Sequence, residues 1–209
     1  MEQRNGVVAA SLIRPERVEE RHAAESMIRN AFWNLYKDKP EEELVEHYLL
    51  HAAREIPTFD PRLNLVAVDG GEIVGHVLCL PAKIVADDAV AHEVLTLGPL
   101  AVAPSRQRQG IGTALVNAVA EQAESLGFRA IVLLGEPEFY SQIGFIPGSR
   151  YGVRMAEFDA GDYLQVRELR PGGMDGVSGK YVDALLPLVD AKAIKEFDAT
   201  FPPLAAAAS

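Results

Sequence analysis

The sequence predicts a mixed α/β (α+β) fold, a central sheet flanked by helices, and three observations point there. Apolar residues recur at helical spacing in the first third. Short β-rich runs then alternate with glycine-bearing turns. From about Leu100 to Leu134 a strand, a helix and a second strand follow one another, a unit that joins parallel strands through a right-handed crossover. The 209 residues, 48% apolar and 24% charged, suffice for one sizeable core and show no mark of disorder, collagen or a membrane protein.

Taken in order, "GVVAASLI" reads as a strand, too short to span a membrane and without a convincing signal-peptide cleavage pattern. Arg14-Pro15 closes it, and Pro15 is placed to open a helix, where its missing N–H is not needed. Ala24, Ile28, Ala31, Phe32 and Leu35 mark the buried stripe of that helix. A second helix is expected from near Pro40, with Glu41, Glu42 and Glu43 at its positive end and Leu44, Tyr48, Leu49 and Ala52 facing inward. "LNLVAV" and "EIVGHVLCL" form a hairpin about Asp69, Gly70 and Gly71, and Asp87-Asp88 makes another turn. "VLTLGPLAVA" belongs inside a sheet, yet Pro99 cannot donate to a ladder and Gly98 has no side chain to pack, so pairing must break there.

A helix follows with Ile111, Leu115, Val119, Ala123 and Leu126 on one face and Gly127 as its stop, then the strand Ala130 to Leu134. "YGVRMAEF" and "DYLQVREL" read as a final pair of strands. Beyond Arg170 the glycine-rich "PGGMDGVSG" reads as a turn-bearing connection, and the tail holds a short helix, "DAKAIKEF", and frayed last residues. The expected organisation is one domain over 1–170 and a connection with a C-terminal extension over 171–209.

The net charge of −10 argues against a nucleic-acid-coating surface and favours a cationic or amine-bearing substrate. Cys79, the one cysteine, rules out an intrachain disulfide and lies in an apolar run as a buried, inert thiol. His47 and His51 have metal-ligand spacing but no third ligand, so a solvated helix face is the reading preferred and no metal is expected. A location in the cytoplasm, away from membranes, is the corresponding expectation.

"PSRQRQGIGTALV", residues 104–116, carries the chemistry. A helix N-terminus offers free N–H groups and partial positive charge, and Gly110 and Gly112 let an anion approach the backbone beside Arg106 and Arg108. The anion such a turn would take is a phosphate or pyrophosphate, with an ordinary tight turn marked by the two glycines as the competing reading; neither the nucleoside-triphosphate loop nor the three-glycine dinucleotide fingerprint is present.

With its flanks, this stretch resembles the GNAT superfamily of acyl-coenzyme A-dependent N-acyltransferases and looks closest to the bacterial YhbS-like branch. Gln107, Gly110 and Gly112 match the pyrophosphate motif of that family; "LGPLAVAP" is similar to its preceding strand; Tyr140, Gly144 and Phe145 match its later tyrosine segment. The resemblance implies a sheet splayed between strands 4 and 5, with pantetheine in the wedge. It implies contacts to the coenzyme from Leu100, Ala101 and Val102 on the strand, and from Gln107, Arg108, Gln109, Gly110, Ile111, Gly112 and Thr113 at the turn. Tyr140 would protonate the departing thiolate, although a tyrosine that merely shapes the pocket is the competing reading.

The histone-acetyltransferase branch carries a glutamate on the broken strand where this chain has Thr96, so the base is unassigned. Glu93 and Glu136 are the candidates, each competing with an ordinary solvent-facing role, and His76 and His92 are read as hydrogen-bonded structural histidines. The implied activity is acetyl transfer from acetyl-CoA to the amine of a small molecule or protein, by direct attack in a ternary complex. A coenzyme A-binding sensor without turnover and an enzyme using a longer acyl donor are the alternatives. A homodimer built through the final strands or the tail is compatible with this reading, with no specific motif behind it.

Overall fold

In the computed structural model, which describes residues 12–37 and 43–204, strand β1 is Leu12–Pro15. Pro15 ends this strand and does not open a helix. It sits opposite Leu65 on an edge strand, where a missing donor breaks no ladder, and a 3₁₀ turn at Val18–Glu20 precedes helix α1 (Arg21–Tyr36). The expected strand residues before Leu12 lie outside the described residues. Helix α1 buries Ala24, Met27 and Ile28, but Leu35 is exposed.

Helix α2 is Glu46–Ala53, so it starts well after Pro40. Glu43 lies in irregular chain before it, and Glu41 and Glu42 fall outside the described residues. Its fully buried face is His47, Leu50 and Ala53, with Leu44, Tyr48, Leu49 and Ala52 only partly covered. The correction has a non-local cause: rings from the tail, Phe197 and Phe201, lie 5.4 and 5.3 Å from the His47 ring and cover it. His47 is therefore buried and does not belong to a solvated face.

Strands β2 (Asn64–Asp69) and β3 (Glu72–Val85) form the expected hairpin, with Gly70 and Gly71 at φ 59° and 88°. Two successive positive φ values give the turn whose twist matches the strands it joins. After the turn at Asp87-Asp88, β4 (Ala91–Val102) returns along β3. Then follow α3 (Ile111–Ser125), β5 (Ala130–Leu134), α4 (Pro137–Tyr140), β6 (Ile146–Pro147), β7 (Val153–Met155), β8 (Leu164–Glu168), β9 (Gly179–Val182) and α5 (Ala191–Asp198).

The strand order is β1-β2-β3-β4-β5-β8-β6, with β9 beside both β3 and β7. The expected final pair, β7 with β8, is not formed: β8 runs antiparallel to β5 and β6, while β7 pairs in parallel with β9. Long β3 outlasts β2, whose pairing ends at Leu78, and β9, from beyond Arg170, covers the edge at Lys83–Val85. Period-two alternation then sorts the two faces. Val77, Cys79, Leu95, Leu97, Ile131 and Leu133 meet α3, whereas Leu78, Leu80 and Ala101 lie under α1 and α2.

The parallel β4–β5 contact is two residue pairs long, Leu95 with Ile131 and Thr96 with Val132. Beyond Thr96, β4 stays on β3 through a bulge opposite Val77–Cys79 and leaves β5 altogether. Gly98 and Pro99 fall in this bulge, as their inability to pack and to donate requires. The sheet splays there.

Candidate active site

The splay opens a cleft of about 1210 Å³, above the ~300–1,000 Å³ usual for small-molecule sites. One wall is the free edge of β4, from Leu97 to Val102, about 17 Å long at ~3.3 Å per residue. The second is the start of α3, and the third is the end of β5 with α4.

Gly110 caps α3 at φ 82°, and a Cβ on it would meet nothing within 4 Å. A Cβ on Gly112 would reach ordinary contact with Phe139 and Val102, at 3.6 and 3.7 Å. The backbone at the helix start is therefore bare toward the cleft, and the first turn holds no acidic residue. The N–H groups of Ile111, Gly112 and Thr113 are those an α-helix leaves without internal partners, and they carry the positive end of its dipole.

Of the flanking cations, Arg106 is tied to Asp69 at 2.7 Å, while Arg108 lies exposed on the cleft. Gln107 donates from Nε2 to the Val102 carbonyl at 3.2 Å, pinning the loop to the strand end. Leu100, Val102, Gln107, Arg108, Gly110, Ile111, Gly112 and Thr113 line the cleft together. Ala101 and Gln109 do not: the Ala101 side chain points into the layer under α1, and Gln109 donates to the Ser105 carbonyl.

Tyr140 lines the cleft from the β5 side, its ring edge-on to Phe139 and Phe145 at centroid distances of 4.9 and 5.4 Å. Burial pushes its hydroxyl up to about 12, so the group is protonated at neutral pH and able to donate. A Cβ on Gly135 would fall 2.3 Å from Tyr140 Cε2, so the ring position depends on that glycine.

The two carboxylates singled out by sequence are not equivalent. Glu136 is exposed and lines the cleft; Glu93 is exposed opposite Lys83 near the far end of β4, away from it. Thr96 is buried, its hydroxyl against the Tyr181 hydroxyl. His76 is buried and neutral, its Nε2 2.7 Å from Asn64 Oδ1; burial, then the nearby Arg54 charge, lower it to about 3. His92 sits opposite Ile84 in the ladder. Burial raises the Cys79 thiol, in keeping with an inert group.

His47 and His51 face different carboxylates. His47 Nε2 is 3.1 Å from Asp198 Oδ1, and burial lowers it to about 4; His51 Nδ1 is 3.2 Å from Glu25 Oε1. The glycine-rich segment after Arg170 makes tight turns, with Gly172 and Gly176 at φ 76° and 71°. Among the described residues no helix is long and apolar enough to cross a membrane.

Two cleft carboxylates were missed by sequence reasoning. Glu46, at the start of α2, accepts from the Tyr36 hydroxyl at 2.8 Å, and burial raises its carboxyl. Asp183, just after β9, accepts from the N–H groups of Leu185 and Leu186 at 2.6 and 3.3 Å and from the Tyr181 hydroxyl at 3.2 Å; burial raises it despite these donors. An aspartate accepting from residues two and three ahead is a turn signature, the one local signal "DALL" offered. The cleft thus combines a bare helix N-terminus and a free strand edge at one end with an apolar chamber at the other, where Asp183 is buried and Glu46 partly so.

The model of the acetyltransferase (GNAT) family matches residues 26–145. An uncharacterised N-acetyltransferase, YhbS, of Escherichia coli (strain K12) is 30% identical over 118 residues, 56% of this chain and 69% of that protein. The solved structure of Escherichia coli YhbS, a complex with CoA, has a TM-score of 0.71 at 26% identity, covering 82% of this chain and 88% of that one. A GNAT-family acetyltransferase from Brucella melitensis, in complex with acetyl-CoA, has a TM-score of 0.64 at 26% identity, covering 84% and 97%. The matched stretch, which contains the start of α3, the splayed strands and Tyr140, covers more than half of the chain and shows that the chain belongs to the acetyltransferase (GNAT) family.

Proposed function

We propose that the protein transfers an acetyl group from acetyl-CoA to a primary amine by direct attack in a ternary complex. One observation carries this reading: the bare α3 N-terminus and the free β4 edge lie in a single cleft that also receives Tyr140. A diphosphate on the N–H groups of Ile111 to Thr113, beside Arg108, leaves its attached arm to run down β4 toward Thr96. Unpaired strand N–H and C=O groups bond such an arm as they would a neighbouring strand. The complexes of YhbS with CoA and of the Brucella melitensis protein with acetyl-CoA support this assignment.

Along this edge, a strand N–H near Leu100 polarises the thioester carbonyl, and the Tyr140 hydroxyl gives its proton to the leaving sulfur. A Tyr140→Phe enzyme is expected to bind acetyl-CoA with unchanged affinity and to acetylate a mixed amine panel about 10²-fold more slowly, read by thiol release. Unchanged turnover would remove Tyr140 from the chemistry. Tight acetyl-CoA binding by the wild type with no amine acetylated would make the protein a coenzyme A-binding module. Gly135→Ala tests the same ring by displacement. The added methyl cannot coexist with Tyr140 in place, so kcat is expected to fall at least about tenfold with little change in coenzyme affinity.

A further inference from the structure

Thr96 marks the apex of the splay, the last β4 residue paired with β5. Around it runs a chain of hydrogen bonds with one direction. The Ala184 N–H donates to Thr96 Oγ1 at 3.3 Å, and the Tyr181 hydroxyl donates to Asp183 Oδ2 at 3.2 Å. The contact between Thr96 and Tyr181 is then completed with the threonine donating. Every donor in the chain leads to Asp183. Its side chain lies on the cleft wall with the residue 7% exposed, at the end of the β4 edge farthest from the anion cradle. The strand thus supplies no carboxylate at the apex, and the segment after β9 brings one to it.

The chamber next to Asp183 is apolar. Leu186 and Val189 line it and remain 38% and 49% exposed, and Leu49 of α2 adds to the same wall. Large apolar side chains left uncovered in a concave site mark where an apolar ligand binds. A polycationic acceptor finds few partners there: Glu46 is already engaged by Tyr36, and Glu136 stands on the coenzyme side beside α4.

Resting on the transferase reading above, we propose that Asp183 is the catalytic base and that the acceptor is a primary amine on an apolar skeleton. Asp183 takes one proton from the ammonium, R–NH₃⁺. The freed lone pair forms the C–N bond at the thioester carbonyl, the C–S bond breaks with its electron pair on sulfur, and sulfur takes the Tyr140 proton. The second nitrogen proton goes to the Tyr140 phenolate, and Asp183 returns its proton to solvent. The products are the amide, free coenzyme A and one proton. A carboxylate both buried and hydrogen-bonded is poised for this exchange, since burial raises its proton affinity while the donors hold it in place.

The test compares wild type, Asp183→Asn and Asp183→Ser; both replacements keep an oxygen acceptor for the Leu185 N–H, and melting curves report folding. Acetyl-CoA affinity is measured by calorimetry, and turnover with phenethylamine, spermidine and 2,2,2-trifluoroethylamine, the last already unprotonated at neutral pH. The variants are expected to bind acetyl-CoA like wild type, to lose about 10²-fold in kcat with phenethylamine, and to lose less than about fivefold with trifluoroethylamine. A folded variant equally impaired with both amines, or unimpaired with phenethylamine, overturns the base assignment while leaving the transferase reading intact. Preference of the wild type for spermidine over phenethylamine overturns the acceptor class. Acetyl-CoA binding without transfer to any amine overturns the transferase reading, and this assignment with it.

Discussion

Gly110→Asp is expected to weaken acetyl-CoA binding by about 10³-fold while shifting the melting temperature by only a few degrees. The two effects separate because position 110 has two roles. As a helix cap, aspartate is among the preferred residues, and it tolerates the left-handed φ of 82° better than most. As the floor of the anion cradle it is ruinous, since its carboxylate would enter the space now bare around Gly110. Like charges about 4 Å apart at an effective dielectric near 20 repel by about 4 kcal/mol. Gly110→Ala is the control for backbone strain and is expected to lose far less affinity. Calorimetry at two salt concentrations reads the difference, with part of the aspartate penalty screened at the higher one. Equal binding by the aspartate variant and wild type would move the diphosphate elsewhere.

Arg54→Ala is expected to cost about 3–5 kcal/mol of folding stability. The Arg54 side chain is 2% exposed, and its partners Glu16 and Glu25 are 3% and 6% exposed. Its Nε and Nη2 donate to both oxygens of Glu16, at 3.0 and 2.6 Å, and its Nη1 donates to Glu25. Glu16 also accepts from Asn64 Nδ2 at 2.8 Å, and Asn64 in turn meets His76. Removing the guanidinium leaves two carboxylates buried without their cation, a larger penalty than the loss of the attraction itself. Urea denaturation at pH 7 measures it; a loss under about 1 kcal/mol, as for surface pairs, would show that water replaces the arginine.

Features written in consecutive residues were legible. Gly70-Gly71 forces its turn, the spacing from Ile111 to Ala123 produces α3, and Gly98-Pro99 announces the broken ladder, each because the determining groups are neighbours in the chain. What failed depended on distant partners. The face of α2 is set by Phe197 and Phe201, and β7 pairs with β9 and not with β8 because a later segment takes that position. Glu93 failed for a related reason: alternation places it on the face of Leu95 and Leu97 but near the end of β4 away from the splay. At the site, the cradle could be read from one contiguous motif. Asp183 could not, since only the pairing of β9 with β3 carries it to Thr96.

The β9 pairing also divides the labour of the cleft along the chain. Everything expected to grip the coenzyme lies between Leu97 and Tyr140, whereas the wall we assign to the acceptor borrows Asp183, Leu185, Leu186 and Val189 from a separate segment. That segment can be exchanged or edited without rewriting the coenzyme grip, so acceptor choice and donor recognition are free to diverge independently. Trimming it to obtain a minimal domain would take Asp183, Leu185, Leu186 and Val189 out of the cleft wall.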